Sequence, residues 1–169
     1  AWDSQLAAYG ARLLEVRTRF VADLNGVISG IYQGLTASSQ GMSITYQREW
    51  GDPNAQPVTR ENFTTLIAEA IAVSASDEMR RGTSLIGPHR DDLHLQVAGK
   101  DIRQFGSQGE QRTAALALRV AEFRLLHRLL GEPPVLLLDD ILSELDRTRR
   151  SALLDHLAPI AQVIVTTTD

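Results

Sequence analysis

The sequence predicts a mixed α/β fold, with long helices and a small antiparallel strand region leading into a parallel α/β unit in the last third. The first observation is the run Val135-Leu136-Leu137-Leu138, which follows Pro134 and ends at Asp139-Asp140. It is too short for a helix, and its continuous apolar character suits a parallel strand buried on both faces. The second is a matching run, Val163-Ile164-Val165, reached after a helical stretch from about Arg147 to Leu157. Strand, helix and strand at this spacing predict a right-handed parallel crossover. The third is upstream, where apolar residues recur at three- and four-residue steps over two long segments.

Taken in order, Leu6, Tyr9, Leu13, Val16, Phe20 and Leu24 predict an amphipathic helix from Trp2 to about Asn25. Residues 26–41 are rich in Gly, Ser and Gln and read as a loop. Met42, Ile44 and Tyr46 alternate with polar residues, the pattern of a half-buried strand, and Gly51 to Pro57 is a surface turn. A second helix from about Thr59 to Arg81 presents Phe63, Leu66, Ile67, Ala70 and Ile71 on one face and stops at Gly82. Leu93, Leu95 and Val97, the turn Ala98-Gly99-Lys100, and then Ile102 and Phe105 form a hairpin. Residues 107–130 form a helix with Ala115, Leu118, Leu125 and Leu129 inside, ended by Gly131-Glu132-Pro133-Pro134.

Composition bounds the function. In 169 residues, 17 Lys+Arg against 21 Asp+Glu give a net charge of −4, with 43% hydrophobic and 5% aromatic residues. This is globular and excludes collagen-like, disordered and uniformly basic chains, while leaving room for a local basic face. All but one of the 17 basic residues are arginine, Lys100 being the exception; a GC-rich codon bias explains this as readily as phosphate clamping does. Without cysteine there is no disulfide, thiol nucleophile or Cys-based zinc site, and a reducing, cytoplasmic setting is expected. No run approaches a membrane span, and no signal peptide opens the chain. The chain starts without methionine and stops directly after a strand-like run, as part of a longer protein would.

Three motifs carry chemistry. Asp139 and Asp140 end a buried parallel strand, where open α/β sheets bind ligands, and adjacent carboxylates there call for a cation such as Mg²⁺. In that reading Asp139 serves the metal and Asp140 polarises a water; in the plainer one, the pair caps a turn. Gly106-Ser107-Gln108-Gly109-Glu110 opens a long helix, with Ser107 and Glu110 at capping-box spacing. The same geometry leaves backbone N–H groups and a positive dipole end for an anion. Ser143-Glu144-Leu145-Asp146 follows the acid pair, and Asp146 is a natural N-cap for the next helix.

In this order, joined by one helix and one strand, the three motifs resemble the carboxyl half of an ABC-type ATPase head. Gly87-Pro88-His89-Arg90-Asp91-Asp92, Phe105 to Arg112, Leu137 to Asp146 and Thr166-Thr167-Thr168-Asp169 narrow the resemblance to the RecF family of bacterial recombination mediators. The resemblance implies an α/β fold, the C-terminal half of an ABC-type ATPase head related to SMC and Rad50 proteins with part of an inserted helical lid domain. Residues 1–82 would belong to the lid arm and residues 83–169 to the head. It implies ATP and Mg²⁺ as cofactors, an ATP-dependent homodimer and slow hydrolysis. It also implies binding of double-stranded DNA and single/double-strand junctions at gaps, recombinase loading with a RecR partner, and a cytoplasmic, nucleoid-associated location. Carried across by motif, Asp139 is the Mg²⁺-linked acid of the Walker B strand and Asp140 the catalytic acid. Ser107, Gly109 and Glu110 form the signature that contacts ATP of the opposite subunit, while Ser143 and Asp146 form the D-loop at that interface.

Two positions depart from the family. No G-x-x-x-x-G-K-[ST] occurs, since Gly99-Lys100 is followed by Asp101 in a hairpin turn, so the phosphate-cradling Walker A loop lies outside these residues. Related heads often place a histidine after the final strand, where this chain has Thr168 and Asp169 as sensor candidates. By itself the chain is expected to hydrolyse nothing. Arg80, Arg81, Arg147, Arg149 and Arg150 are candidate DNA contacts that solvated helix faces explain equally well, and His89 and Arg90 sit in a turn of structural composition. Two alternatives stand beside this one: an ABC-type transporter ATPase, marked by a membrane partner, and a non-enzymatic interaction module in which the acids and caps are structural.

Overall fold

The computed structural model describes residues 2–36, 39–52, 59–139, 147–157 and 162–166. Helices α1 (Trp2–Thr36), α2 (Arg60–Arg81), α3 (Ile102–Phe105), α4 (Gln108–Leu130) and α5 (Arg147–Leu157) alternate with strands β1 (Met42–Gln47), β2 (Asp92–Val97), β3 (Lys100–Asp101), β4 (Leu136–Asp139) and β5 (Val163–Thr166). One sheet has the order β1-β2-β3, and a second pairs β4 with β5. The chain divides into two compact units, Ala1–Ala22 with Ile44–His94, and Asp23–Ser43 with Leu95–Asp169.

In the first unit, Ala7, Ala11 and Leu14 of α1 and Phe63, Leu66, Ile67, Ala70 and Ile71 of α2 share one core with Trp50 and Ile86. The α2 face is the one its spacing predicts. Thr59 caps the helix by accepting from the Asn62 amide at 3.3 Å, and Gly82 ends it at φ 65° with its N–H on Glu78 O. The buried face of α1 is only partly the predicted one, since Leu24 is buried and Leu6 packs against the core but the predicted residues between them do not. Tyr9, Leu13, Val16 and Phe20 are exposed, and the buried line runs through Ala7, Ala11, Leu14, Val21 and Leu24. Small residues win because they permit close approach: a Cβ on Gly10 would lie 3.0 Å from Ile67 Cδ1.

The expected loop at residues 26–41 is largely helix, because α1 continues to Thr36. Ile28, Ile31, Tyr32 and Leu35 extend the helical spacing and are buried. Burying such side chains stabilises by about 1.5–3 kcal/mol each, against about 1 kcal/mol lost per interior glycine, so packing overrides the loop-like composition.

In the second unit, Ala98 (φ 50°) and Gly99 (φ 75°) make the two-residue turn that pairs β2 antiparallel to β3, with Val97 opposite Lys100. The hairpin ends sooner than expected, since Asp101 accepts from the amides of Arg103 at 2.8 Å and Gln104 at 3.1 Å and starts α3. Helix α4 buries Thr113, Ala114, Leu116, Ala117, Val120, Ala121 and Phe123. Of the predicted inner residues, Ala115 is exposed, Leu118 and Leu125 are half-buried, and Leu129 is exposed. Strands β4 and β5 are parallel, with Leu137 opposite Ile164 and Asp139 opposite Thr166. The expectation of burial on both faces fails: Leu138 is 2% exposed, but Leu137 is 68% and Ile164 49% exposed. Two described strands expose one sheet face that larger parallel sheets cover. Among the described residues, no helix is long and apolar enough to cross a membrane.

Candidate functional site

Two candidate features lie in the second unit, the first turn of α4 and the carboxyl end of β4. Gly106 leads into α4 with its N–H on Ile102 O at 3.0 Å, and a Cβ at this residue would lie 2.5 Å from that oxygen. Only glycine fits so close to a backbone carbonyl. Gln111 clamps the approach by donating from Nε2 to Arg103 O at 3.2 Å and Gly106 O at 3.1 Å.

Ser107 is the N-cap, and the capping box is complete. Its Oγ accepts from the Glu110 amide at 3.3 Å, while Glu110 Oε2 accepts from Ser107 N–H at 2.8 Å and from Ser107 Oγ–H at 2.7 Å. These bonds lower the Glu110 pKa below 4.5, the hydroxyl bond most, with the Arg149 charge assisting. The remaining first-turn N–H groups have no partner within an α-helix, and the dipole makes this end positive. Arg149 of α5 lies against the same turn, its Nη1 3.3 Å from where a Cβ on Gly109 would be.

Asp139 ends β4 with an exposed carboxylate, to which Thr166 of β5 donates a hydroxyl hydrogen bond. Among the described residues no group of three or more His, Cys, Asp or Glu is placed to hold a metal. A single exposed carboxylate still suits Mg²⁺, which binds through one or two carboxylates with nucleotide phosphates and water. Asp140, Ser143, Asp146, Thr168 and Asp169 lie outside the described residues.

The arginine candidates are distributed over both units. Arg80 and Arg81 close α2, where cations suit the dipole, and Arg80 is paired with Asp77 at 2.9 Å. Arg147, Arg149 and Arg150 open α5, where cations oppose the dipole. The His89-Arg90 turn is structural in its contacts, with Arg90 Nη2 on Ser84 O at 2.8 Å and Arg17 Nη1 on Pro88 O at 2.6 Å. Sequence reasoning missed Arg17, Tyr46 and Trp50 around Asp91, and it missed the contact of Arg149 with the Gly109 turn. Each joins residues far apart in the chain, so no local spacing encodes it.

The parallel β4–α5–β5 unit and the capped α4 place the chain in the carboxyl-terminal part of an ABC ATPase-like fold. Comparison with known proteins makes this specific, although no family model matches the chain. The DNA replication and repair protein RecF of Synechococcus sp. (strain JA-3-3Ab) is 41% identical over 170 residues, covering 99% of this chain and 44% of the relative. That of Chloroflexus aurantiacus is 42% identical over 171 residues, covering 99% and 43%. A solved structure described as the recombination mediator protein RecF-ATPrS in the RecFOR pathway superposes with a TM-score of 0.82 at 31% identity, over 99% of this chain and 44% of that one. A second, described as RecF-ATP, gives 0.76 at 32% identity. The chain is similar to RecF proteins over 99% of its length, matches their carboxyl-terminal half, and spans about 44% of them.

Proposed function

We propose that this chain is the signature and Walker B portion of an ATP-dependent DNA-binding protein of recombinational repair. In this reading residues 1–82 contribute to a helical arm and residues 83–169 to the head. The observation that carries it is the match of 99% of the chain to RecF structures described with ATP or ATPrS, with the capped first turn of α4 at Ser107–Glu110 standing where the signature motif falls.

The mechanism follows from the charges. The first turn of α4, with Ser107 and Gly109, meets the phosphates of a nucleotide held by a second copy, so ATP is enclosed only when two heads close. Asp139, hydrogen-bonded by Thr166, would hold Mg²⁺, which when bound would neutralise phosphate charge. Asp140, next in sequence, accepts the proton of the attacking water. The Walker A loop comes from residues outside this chain. Ser143 and Asp146 carry the closure across the interface, and Thr168 and Asp169 sense the terminal phosphate. Double-stranded DNA near gaps and single/double-strand junctions is the binding target, with a RecR-type partner aiding recombinase loading and Arg147 and Arg150 of α5 facing phosphate. The setting is cytoplasmic and nucleoid-associated.

The test is Asp140→Asn in the full-length protein carrying this chain. Turnover of ATP should fall by about 10²-fold or more while nucleotide binding and the unfolding midpoint stay near wild type. A variant that loses only stability would instead identify the acids as structural.

A further inference from the structure

The capping box that makes the α4 turn so well formed also occupies the donors a phosphate would use. A serine hydroxyl has one proton. In this structure Ser107 gives it to Glu110 Oε2 at 2.7 Å, and its N–H goes to the same oxygen at 2.8 Å. Both are charge-assisted bonds, the stronger kind, and they fix a negative charge on the turn. A phosphate approaching Ser107 therefore meets a repelling carboxylate and finds two donors taken.

A counter-charge stands against the same turn. Arg149 Nη1 lies 3.3 Å from the Cβ position of Gly109, one residue before Glu110, so the missing side chain leaves the guanidinium its place. The Arg149 charge acts on Glu110 and on the buried Tyr32 together, so all three share one electrostatic environment. Because a cation in the first turn of α5 opposes that helix's own dipole, helix stability does not account for the arginine. Glu110 is exposed, so its carboxylate has room to swing away from Ser107.

We propose that Glu110 is a built-in competitor for the phosphate donors of the α4 turn, and that Arg149 is a positioning residue that draws its carboxylate off Ser107 when nucleotide arrives. The inference rests on the nucleotide reading given above and deepens it. Without nucleotide the turn is self-satisfied and its affinity for a second head is low. With nucleotide the phosphate replaces the carboxylate on Ser107, and Glu110 turns to the guanidinium.

The experiment is a double-mutant cycle in the full-length protein, reading by light scattering the ATP concentration that gives half-maximal dimerisation. Glu110→Gln should lower that concentration about fivefold, and Arg149→Gln should raise it by a similar factor. In the Glu110→Gln background the Arg149 substitution should change it less than about twofold, since no carboxylate remains to be drawn off. Arg149→Lys, which keeps the charge and guards against misfolding, should lie between wild type and Arg149→Gln. Equal effects of Arg149→Gln in both backgrounds, no effect in either, or a higher ATP requirement in Glu110→Gln would each overturn the inference while leaving the nucleotide reading standing. A wild-type protein that stays monomeric with ATP would overturn both.

Discussion

Thr166 of β5 donates its hydroxyl proton to Oδ1 of Asp139 across a registered pair of the parallel strands. The bond holds one carboxylate oxygen of an exposed side chain, the kind of support a metal-linked acid needs. Thr166→Val keeps the shape and removes the donor. We expect ATP turnover of the full-length protein to drop about tenfold, with a stability loss of about 1 kcal/mol. Thr166→Ser should restore most of the turnover. Steady-state hydrolysis paired with urea unfolding checks both, and unchanged turnover in the valine variant would detach Asp139 from the chemistry.

In the first unit, Asp91 accepts from Tyr46 Oη–H and from Trp50 Nε1–H at 2.7 Å, while Arg17 donates to Tyr46 Oη at 3.2 Å and to Pro88 O at 2.6 Å. Burial, reinforced by the Asp91 charge, pushes the Tyr46 pKa well above 10.0. Its raised pKa means the contribution of neutral Tyr46 is complete below pH 10.0 and lost as pH rises through the folded value. Tyr46→Phe leaves Asp91 short of a donor and should cost about 1–3 kcal/mol in chemical denaturation at neutral pH. A loss below about 0.5 kcal/mol would show that water replaces the hydroxyl.

Glu78 anchors the segment after α2 by accepting from Leu85 N–H at 2.6 Å, Ile86 N–H at 3.2 Å and Ser84 Oγ–H at 3.1 Å. The Leu85 bond leads in lowering its pKa from 4.5. A depressed pKa stabilises the fold above the unfolded value, and that contribution fades as pH falls through the folded value. The stability difference between wild type and Glu78→Gln should therefore be constant from about pH 7 to about pH 5 and shrink on further acidification. A difference that grows on acidification would contradict the assignment.

Gly106→Ala places a methyl group 2.5 Å from Ile102 O, and the backbone leading to the capping box must shift. We expect about 1–3 kcal/mol of destabilisation and weaker ATP-dependent dimerisation than any equal loss of stability elsewhere in the second unit would cause. Gly131→Ala, at φ 77° with open space around it, is the control for backbone strain alone.

What could be read from the chain and what could not follow from range. The caps of α2, the Ser107–Glu110 box and the parallel pairing of β4 with β5 are local patterns within a few residues or one crossover, and they appear as expected. The buried faces of α1 and α4 depart from the spacing of the large apolar residues because the buried lines also run through Ala7, Ala11, Ala114, Ala117 and Ala121. Residues 26–36 were hidden by glycines whose propensity cost is smaller than the burial of Ile28, Ile31 and Leu35. Asp139, Ser107 and Gly109 were legible as candidates from motif order. The Arg149 contact and the Thr166 bond were not, because each depends on a crossover bringing distant segments together.

Closure of two heads on nucleotide is read from the mass of the full-length protein in solution with and without ATP, comparing wild type with Ser107→Arg. An arginine at the N-cap removes the cap hydroxyl and fills the turn where a phosphate of the second copy would sit. Wild type should become a dimer with ATP, while the variant binds nucleotide and remains monomeric. A variant that dimerises as well as wild type would contradict this, and the first turn of α4 would then be a helix cap and nothing more.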